Sequence, residues 1–357
     1  MPKRLRRWRY FRHQPSRRSE GSFLNPPLST PVAFLIFNRP RLTALVFEEI
    51  RRARPAKLLV VADGPRPDRP GEAEKCAKTR GIIDGVDWPC EVVTNYSETN
   101  LGCKKRVSSG LDWVFGEVEE AVVLEDDCVP HPSFFQFCSQ MLEKYRDDER
   151  VFHIAGSHFR LRGEKNPSSY YFSRYSFIWG WASWRRAWKH YDVGMKLWPT
   201  IRDGNWLREF LGSASLARRF TREFERIYTG EQDTWDYQWG LTCWINSGLS
   251  IRPHVNLISN IGFSSDATHT TDADNPAANL ATEPMEFPLR HPPFMMRNAY
   301  EDRFLHENAG GNALFRRGTA RLKRLVRRAR ALCVAHGGPA RPNENFCQPN
   351  QTNLPNR

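Results

Sequence analysis

Three adjacent carboxylates, Glu125-Asp126-Asp127, directly follow the aliphatic run Ala121-Val122-Val123-Leu124, and Pro130 closes the segment. The run reads as a short strand buried on both faces, as in the middle of a parallel sheet. The acids then fall at the strand's carboxyl end, where open α/β sheets bind their ligands. Adjacent carboxylates repel one another, which costs free energy unless a cation neutralises them. Hard divalent ions such as Mg²⁺ or Mn²⁺ take oxygen ligands and commonly share one or two carboxylates with a diphosphate. Taken alone, the triplet reads equally as a solvated acidic turn after a core strand.

Other residues along the chain are typed for related chemistry. Asp63 follows Lys57-Leu58-Leu59-Val60-Val61-Ala62 and is either a hydrogen-bond acceptor for a nucleobase or ribose, or part of an ordinary Asp63-Gly64-Pro65 turn. Asn100-Leu101-Gly102 opens an amphipathic segment whose first residues include Lys104, Lys105 and Arg106. Cations there run against the helix dipole and make more sense facing an anion; the alternative is plain surface charge. Asp233 and Asp236 lie between Gly230 and Trp239 in a tryptophan-rich setting. An apolar wall raises a carboxylate's pKa, which is how one becomes a working base. Asp233 reads as an N-cap for a helix containing Trp235 to Trp244, which leaves Asp236 as the candidate base. In the polar loop Gly262 to Thr271, His269 is either exposed or a ligand to a metal or diphosphate.

The elements that must position these groups follow from apolar runs and periodicity. Val32–Phe37 and Lys57–Ala62 read as strands flanking a helix marked by Leu42, Leu45, Val46 and Ile50, the unit of a right-handed parallel crossover. Glu91–Thr94, 121–124 and Val151–Gly156 are further strands, and Pro130 to Tyr145 reads as a helix. Ser169 to Trp188 is crowded with aromatics around Trp179-Gly180-Trp181, either core or a platform for sugar rings and bases. Residues 205–229 read as helical, and Ser250–Pro253 and Val255–Ile258 as late extended pieces.

Composition bounds the rest. A hydrophobic content of 40% supports a sizeable core. The net charge of +13 sits in two arginine-rich segments, 1–18 and 316–330, that carry sixteen positive charges and no acid. The body between them is close to neutral, which argues against specific nucleic-acid binding and leaves the ends as solvated tails or contacts for an anionic membrane. No segment is apolar enough for a transmembrane helix, and the basic start has no apolar core behind it. Eight scattered cysteines without metal spacing fit free thiols. Together these features place the chain in the cytoplasm, with peripheral contact at the inner face of the membrane as the role for its ends. The expected organisation is a basic disordered tail (1–30), an α/β half (31–156), a second half of the same domain (157–306), and a basic, partly helical or disordered tail (307–357).

In this order the features resemble the GT-A-fold glycosyltransferases, with the general look of bacterial family 2-like enzymes. Three segments are similar to animal N-acetylglucosaminyltransferase I: Val123–Asp127 with Pro132-Ser133-Phe134-Phe135, Gly180-Trp181 with Trp188, and Trp235-Asp236 followed by Ile251-Arg252-Pro253. The resemblance implies a Rossmann-like fold with a mostly parallel central sheet flanked by helices, and an acceptor-side C-terminal half. It also implies a nucleotide-sugar donor, a glycan or other hydroxyl acceptor, a divalent metal (Mn²⁺ or Mg²⁺) and inversion at the anomeric carbon. Carried over by position, Asp127 is the direct metal ligand, with His269 beside it. Glu125 and Asp126 contact ribose and sugar, and Asp63 holds the nucleobase end. Arg39, Asn100, Lys104, Lys105, Arg106, Gly180 and Trp181 complete the donor-contacting set. Asp236 is the base, although Tyr237 stands where the family has a second Asp. A sugar-phosphate nucleotidyltransferase would need a Gly-rich loop after the first strand, where Phe37-Asn38-Arg39-Pro40 stands instead. A non-catalytic glycan- or nucleotide-binding protein would not need three carboxylates at a strand end.

Overall fold

The computed structural model describes residues 27–159, 167–263 and 277–308; both arginine-rich ends and His269 lie outside them. The elements in chain order are β1 Val32–Ile36, α1 Pro40–Ala53, β2 Lys57–Ala62, α2 Glu72–Gly81, β3 Glu91–Tyr96 and α3 Cys103–Glu117. Next come β4 Glu120–Glu125, β5 Cys128–Pro130, α4 Ser133–Lys144, β6 Val151–Ala155, β7 Tyr170–Ser173, β8 Trp181–Trp184 and α5 Arg185–Trp188. The remainder is α6 Trp198–Asp203, α7 Trp206–Leu211, α8 Ala214–Tyr228, α9 Asp236–Ile245, β9 Leu249–Pro253, β10 Ile258–Asn260 and α10 Ala299–Asn308. The described residues divide into two units, with the boundary after Ala299.

The first unit is a mixed α/β structure built on an eight-stranded sheet in the order β3-β2-β1-β4-β8-β6-β9-β7. Strands β1 to β4 are parallel, β8 runs against both β4 and β6, β9 is parallel to β6, and β7 is antiparallel to β9. The sheet is therefore mostly parallel, with helices on its faces. Buried aliphatics explain the central strands: Val32, Ala33, Phe34, Leu58, Leu59, Val60 and Ala121 to Leu124 are all 0% exposed. Each such Val, Leu or Phe side chain contributes ~1.5–3 kcal/mol by leaving water. Helix α1 starts with Pro40, whose fixed φ suits the first turn, and turns Thr43, Val46, Phe47 and Ile50 to the sheet. Helix α3 lies so close to β2 that a Cβ on Gly110 would stand 2.4 Å from the Val61 side chain.

Three expectations need correction. β4 does not lie in the middle of a parallel sheet; it has parallel β1 on one side and antiparallel β8 on the other. The aromatic stretch after Ser169 supplies two strands, β7 and β8, that periodicity did not reveal, because every residue in both is buried and no alternation survives. The helix read from Pro130 begins at Ser133, since Cys128–Pro130 pairs with β10 as a two-stranded antiparallel ribbon.

Candidate active site

Register places the acidic triplet. Val32 of β1 pairs with Val122 of β4, and Leu35 with Glu125, so the carboxylates emerge level with the end of β1 and the loop that follows it. A cleft of about 1520 Å³ opens there. Its floor is the carboxyl ends of β1, β2 and β4. Its walls are the start of α3, Ile178-Trp179, residues 232–237 and Asn260-Ile261. Asp63, Asn100, Arg106, Glu125, Asp126, Asp127, Arg39 and Asp236 all line it.

At the triplet, Arg39 is the internal cation. Its guanidinium donates to Asp126 and sits 3.0 Å from Asp127 Oδ2. The pairing is tight enough that, despite burial, the three carboxylates hold the Arg39 proton above its ordinary range. It does not satisfy the cluster. Asp126 is 3% exposed, and its Oδ2 and Glu125 Oε1 are buried without a hydrogen-bond partner. Burial pushes Asp126 up to about 6, with Asp127's charge adding and Arg39 opposing. Burial also drives Glu125 well above the carboxylate range, reinforced by Asp127 and Asp126 and, from across the cleft, by Asp236. Asp127 is pressed against the chain at Gly262, where a Cβ would fall 2.0 Å from its Oδ2.

Opposite the triplet, the start of α3 is held by two carboxylates. Asp63 accepts from the backbone N–H of Gly64 and Leu101 at 2.9 Å each and of Gly102 at 3.2 Å, and from Asn100 Nδ2 at 3.1 Å. Asp233 accepts from the N–H of Cys103 at 2.8 Å and of Lys104 at 3.1 Å. Four successive N–H groups, 101 to 104, are thus taken in order by residues 63 and 233. Gly102 has φ +79 and would place a Cβ 2.8 Å from Asp233, so a glycine is required. Two corrections follow. Asp233 caps α3 rather than its neighbour α9, because the 101–104 amides lie within its reach. Asp63 spends all of the roughly four lone-pair positions of a carboxylate on the chain itself, so it shapes the loop instead of waiting for a base.

The basic start of α3 is also reassigned. Arg106 is buried and donates to Ala62 O at 3.1 Å and to Asn95 O and Oδ1 at 2.5 and 2.8 Å, tying the ends of β2 and β3 together. Lys105 is exposed, Lys104 half-buried, and neither is part of the cleft wall. The expected platform at Gly180-Trp181 is displaced as well: Trp181 is 0% exposed, packed on His153 at 5.2 Å and Trp235 at 5.9 Å. Trp179, just before the left-handed turn at Gly180 (φ 57), lines the cleft instead, braced by Phe159 and Phe263. The sequence marks Trp179 as part of the aromatic run but carries Gly180 and Trp181, not Trp179, into the donor-contacting set. Sequence reasoning missed the Asn38–Glu72–Arg66 set, in which Glu72 accepts from Asn38 at 2.9 Å and from Arg66 and is held down to about 2, chiefly by Arg66.

Asp236 opens α9 on the far wall and accepts from the Thr234 hydroxyl. Among the described residues no three His, Cys, Asp or Glu converge on one point as a self-sufficient metal cage. The triplet offers an oxygen-only donor set with unpartnered, buried carboxylate oxygens. This fits a hard divalent ion that keeps several waters or shares oxygens with a phosphate.

No family model and no curated protein matches the chain. Among solved structures, a mannosyltransferase from Pyrobaculum calidifontis in complex with GDP-Man and Mn²⁺ is similar at 12% identity over 45% of this chain, with a TM-score of 0.30. This chain spans 48%, about half, of that protein's length. A UDP-glucose pyrophosphorylase complexed with UDP-glucose is similar at 9% identity, over 63% of this chain and 90% of that one, with a TM-score of 0.31. A 4-diphosphocytidyl-2C-methyl-D-erythritol synthase from Anaerococcus prevotii follows at 8% identity, with the same coverage and a TM-score of 0.33.

Proposed function

We propose that the chain is a metal-dependent glycosyltransferase that moves a sugar from a nucleoside diphosphate donor to a hydroxyl acceptor with inversion. The observation that carries this reading is the pair of buried, unpartnered carboxylate oxygens on Glu125 and Asp126, at the mouth of β4 in a cleft roomy enough for a nucleotide sugar. Asp127 and its neighbours would hold a divalent metal, which when bound supplies Lewis acidity to the departing diphosphate. The chain's own residues do the rest. Trp179 gives the sugar an apolar wall. Arg39 supplies fixed positive charge beside the site of the leaving group. Asp236, on the opposite wall with Thr234 donating to it, is placed to accept the acceptor hydroxyl's proton as that oxygen attacks. Asn38, Arg66 and Glu72 form a pre-set polar wall for the nucleoside end.

The test is release of free nucleoside diphosphate across a panel of UDP-, GDP- and CDP-sugars, with and without Mn²⁺, using hydroxyl-bearing acceptors. Metal-dependent turnover that disappears in Asp127→Ala supports the reading. Release that ignores metal, or pyrophosphate release from a nucleoside triphosphate and a sugar phosphate, overturns it.

A further inference from the structure

We infer that Arg39 is a resident counter-ion that a divalent cation must displace, so that metal and nucleoside diphosphate bind this chain cooperatively rather than independently. This rests on the metal-dependent reading above and goes beyond it by assigning the order in which the charges are exchanged.

The carboxylates already hold a cation, and it is covalently part of the chain. Arg39 sits on the first loop after β1, contacts Asp126 directly, and lies 3.0 Å from Asp127 Oδ2. A metal ion taking that same Asp127 oxygen would compete with the guanidinium for its lone pairs and meet another positive charge at contact range. The chain at Gly262 crowds that same Oδ2, which leaves little room there for a metal ion and the guanidinium together. Arg39 therefore lowers the affinity for a bare cation. Glu125 Oε1 and Asp126 Oδ2, buried and unpartnered, show that the guanidinium leaves part of the cluster unsatisfied. A metal would have oxygens to gain that Arg39 does not reach.

Displaced alone, Arg39 would lose a charge-assisted hydrogen bond to Asp126 and an ion pair with Asp127 in a partly buried place, its side chain being 24% exposed. A diphosphate arriving with the metal gives the guanidinium a planar, bidentate anion to move to. The exchange is then carboxylate–guanidinium for carboxylate–metal plus phosphate–guanidinium, and neither half is favourable without the other. Thermodynamic reciprocity requires that the nucleotide strengthen metal binding by the same factor as the metal strengthens nucleotide binding.

The experiment is titration of Mn²⁺ into the full chain, followed by calorimetry and by the electron paramagnetic resonance of free Mn²⁺, with and without saturating UDP or GDP. It is run on the wild type, Arg39→Gln and Arg39→Lys. We expect the wild type to bind Mn²⁺ at least tenfold more tightly with the diphosphate present. Arg39→Gln is expected to bind Mn²⁺ alone at least tenfold more tightly than the wild type, with its coupling reduced towards unity. Arg39→Lys keeps the charge without the fork and should fall between the two. The same series followed by thermal melting should show Mn²⁺ alone stabilising Arg39→Gln more than the wild type. If Arg39→Gln folds only with Mn²⁺ present, that dependence supports the exchange. If the wild type binds Mn²⁺ and diphosphate together but Arg39→Gln holds Mn²⁺ no more tightly, Arg39 is no counter-ion and this inference falls while the glycosyltransferase reading stands. If no variant binds Mn²⁺ with either diphosphate, both fall.

Discussion

Two regions share helix α9 and resolve buried polarity in opposite ways. On one side Asp236 faces the cleft; one turn later Trp239 enters a cluster of tilted indoles with Trp181 at 6.0 Å and Trp188 at 5.2 Å. In that cluster and on the rest of α9 buried N–H groups are matched to acceptors: Trp188 donates to Asp112 at 2.8 Å, Trp239 to His153 Nδ1 at 3.1 Å, and Trp244, packed among Phe210, Phe220 and Phe224, to Arg174 O at 2.7 Å. Trp181 Nε1 is the exception. Because an indole only donates, His153 Nδ1 must accept, so its proton sits on Nε2 and is given to Phe177 O at 3.0 Å. The cleft has no such closure. Three carboxylates share one guanidinium, oxygens are left without donors, and burial pushes protons towards Glu125 and Asp126. Indoles and imidazole hold the fold on one side of the helix; on the other, charge is left unresolved.

The sharpest way to separate the two sides is to remove one group from each. Trp239→Ala should cost ~3–5 kcal/mol of folding free energy, read from chemical denaturation, because it opens a cavity among the rings and orphans His153. Asp127→Ala should do the reverse: its melting temperature should hold or rise as like-charge repulsion is relieved, while metal-dependent turnover falls by about 10²–10³-fold. Loss of stability in Asp127→Ala would erase the contrast.

Gly262→Ala probes the border between packing and charge. Its Cβ would intrude on Asp127, so we expect a cost of ~1–3 kcal/mol as the crowding is absorbed, together with loss of metal binding by calorimetry. Acid titration distinguishes the regions by sign. Burial holds His153 down to about 3 against about 6.5 when unfolded. Below pH 6.5 the unfolded chain therefore takes up a proton that the native state refuses, and stability falls by up to ~1.4 kcal/mol per pH unit. Asp126, raised to about 6, works the other way: the native state takes up its proton first, so acid relieves the cluster as the pH falls through 6. Between pH 7 and 5, His153→Gln should flatten the acid-side loss seen in thermal melts and Asp126→Asn should steepen it. The smallest effect belongs to Asp233→Ala, about 1 kcal/mol for a lost helix cap.

The parallel half of the sheet was legible because its strands are aliphatic runs of the right length, each ending in a polar loop, and the triplet could be placed at a strand mouth on that ground alone. β7 and β8 were not, since Tyr170–Ser173 and Trp181–Trp184 are buried throughout and show no period. Roles that depend on a distant partner were equally hidden. Nothing near Asp233 in sequence indicates that its carboxylate belongs to α3, and nothing near Arg106 shows that its donors are claimed by Ala62 and Asn95. The same limit hid that Trp179, and not Trp181, lines the cleft: residue type was readable, but the side each ring faces is set by the turn at Gly180 and the pairing of β8.

Asp233 lies 130 residues beyond the first amide it receives. During folding the opening turn of α3 can form its internal ladder early, yet its frayed amides find their acceptor only when the later half of the chain docks. The opening turn of α3 and the segment that carries Asp233 should thus order together, neither settling before the other.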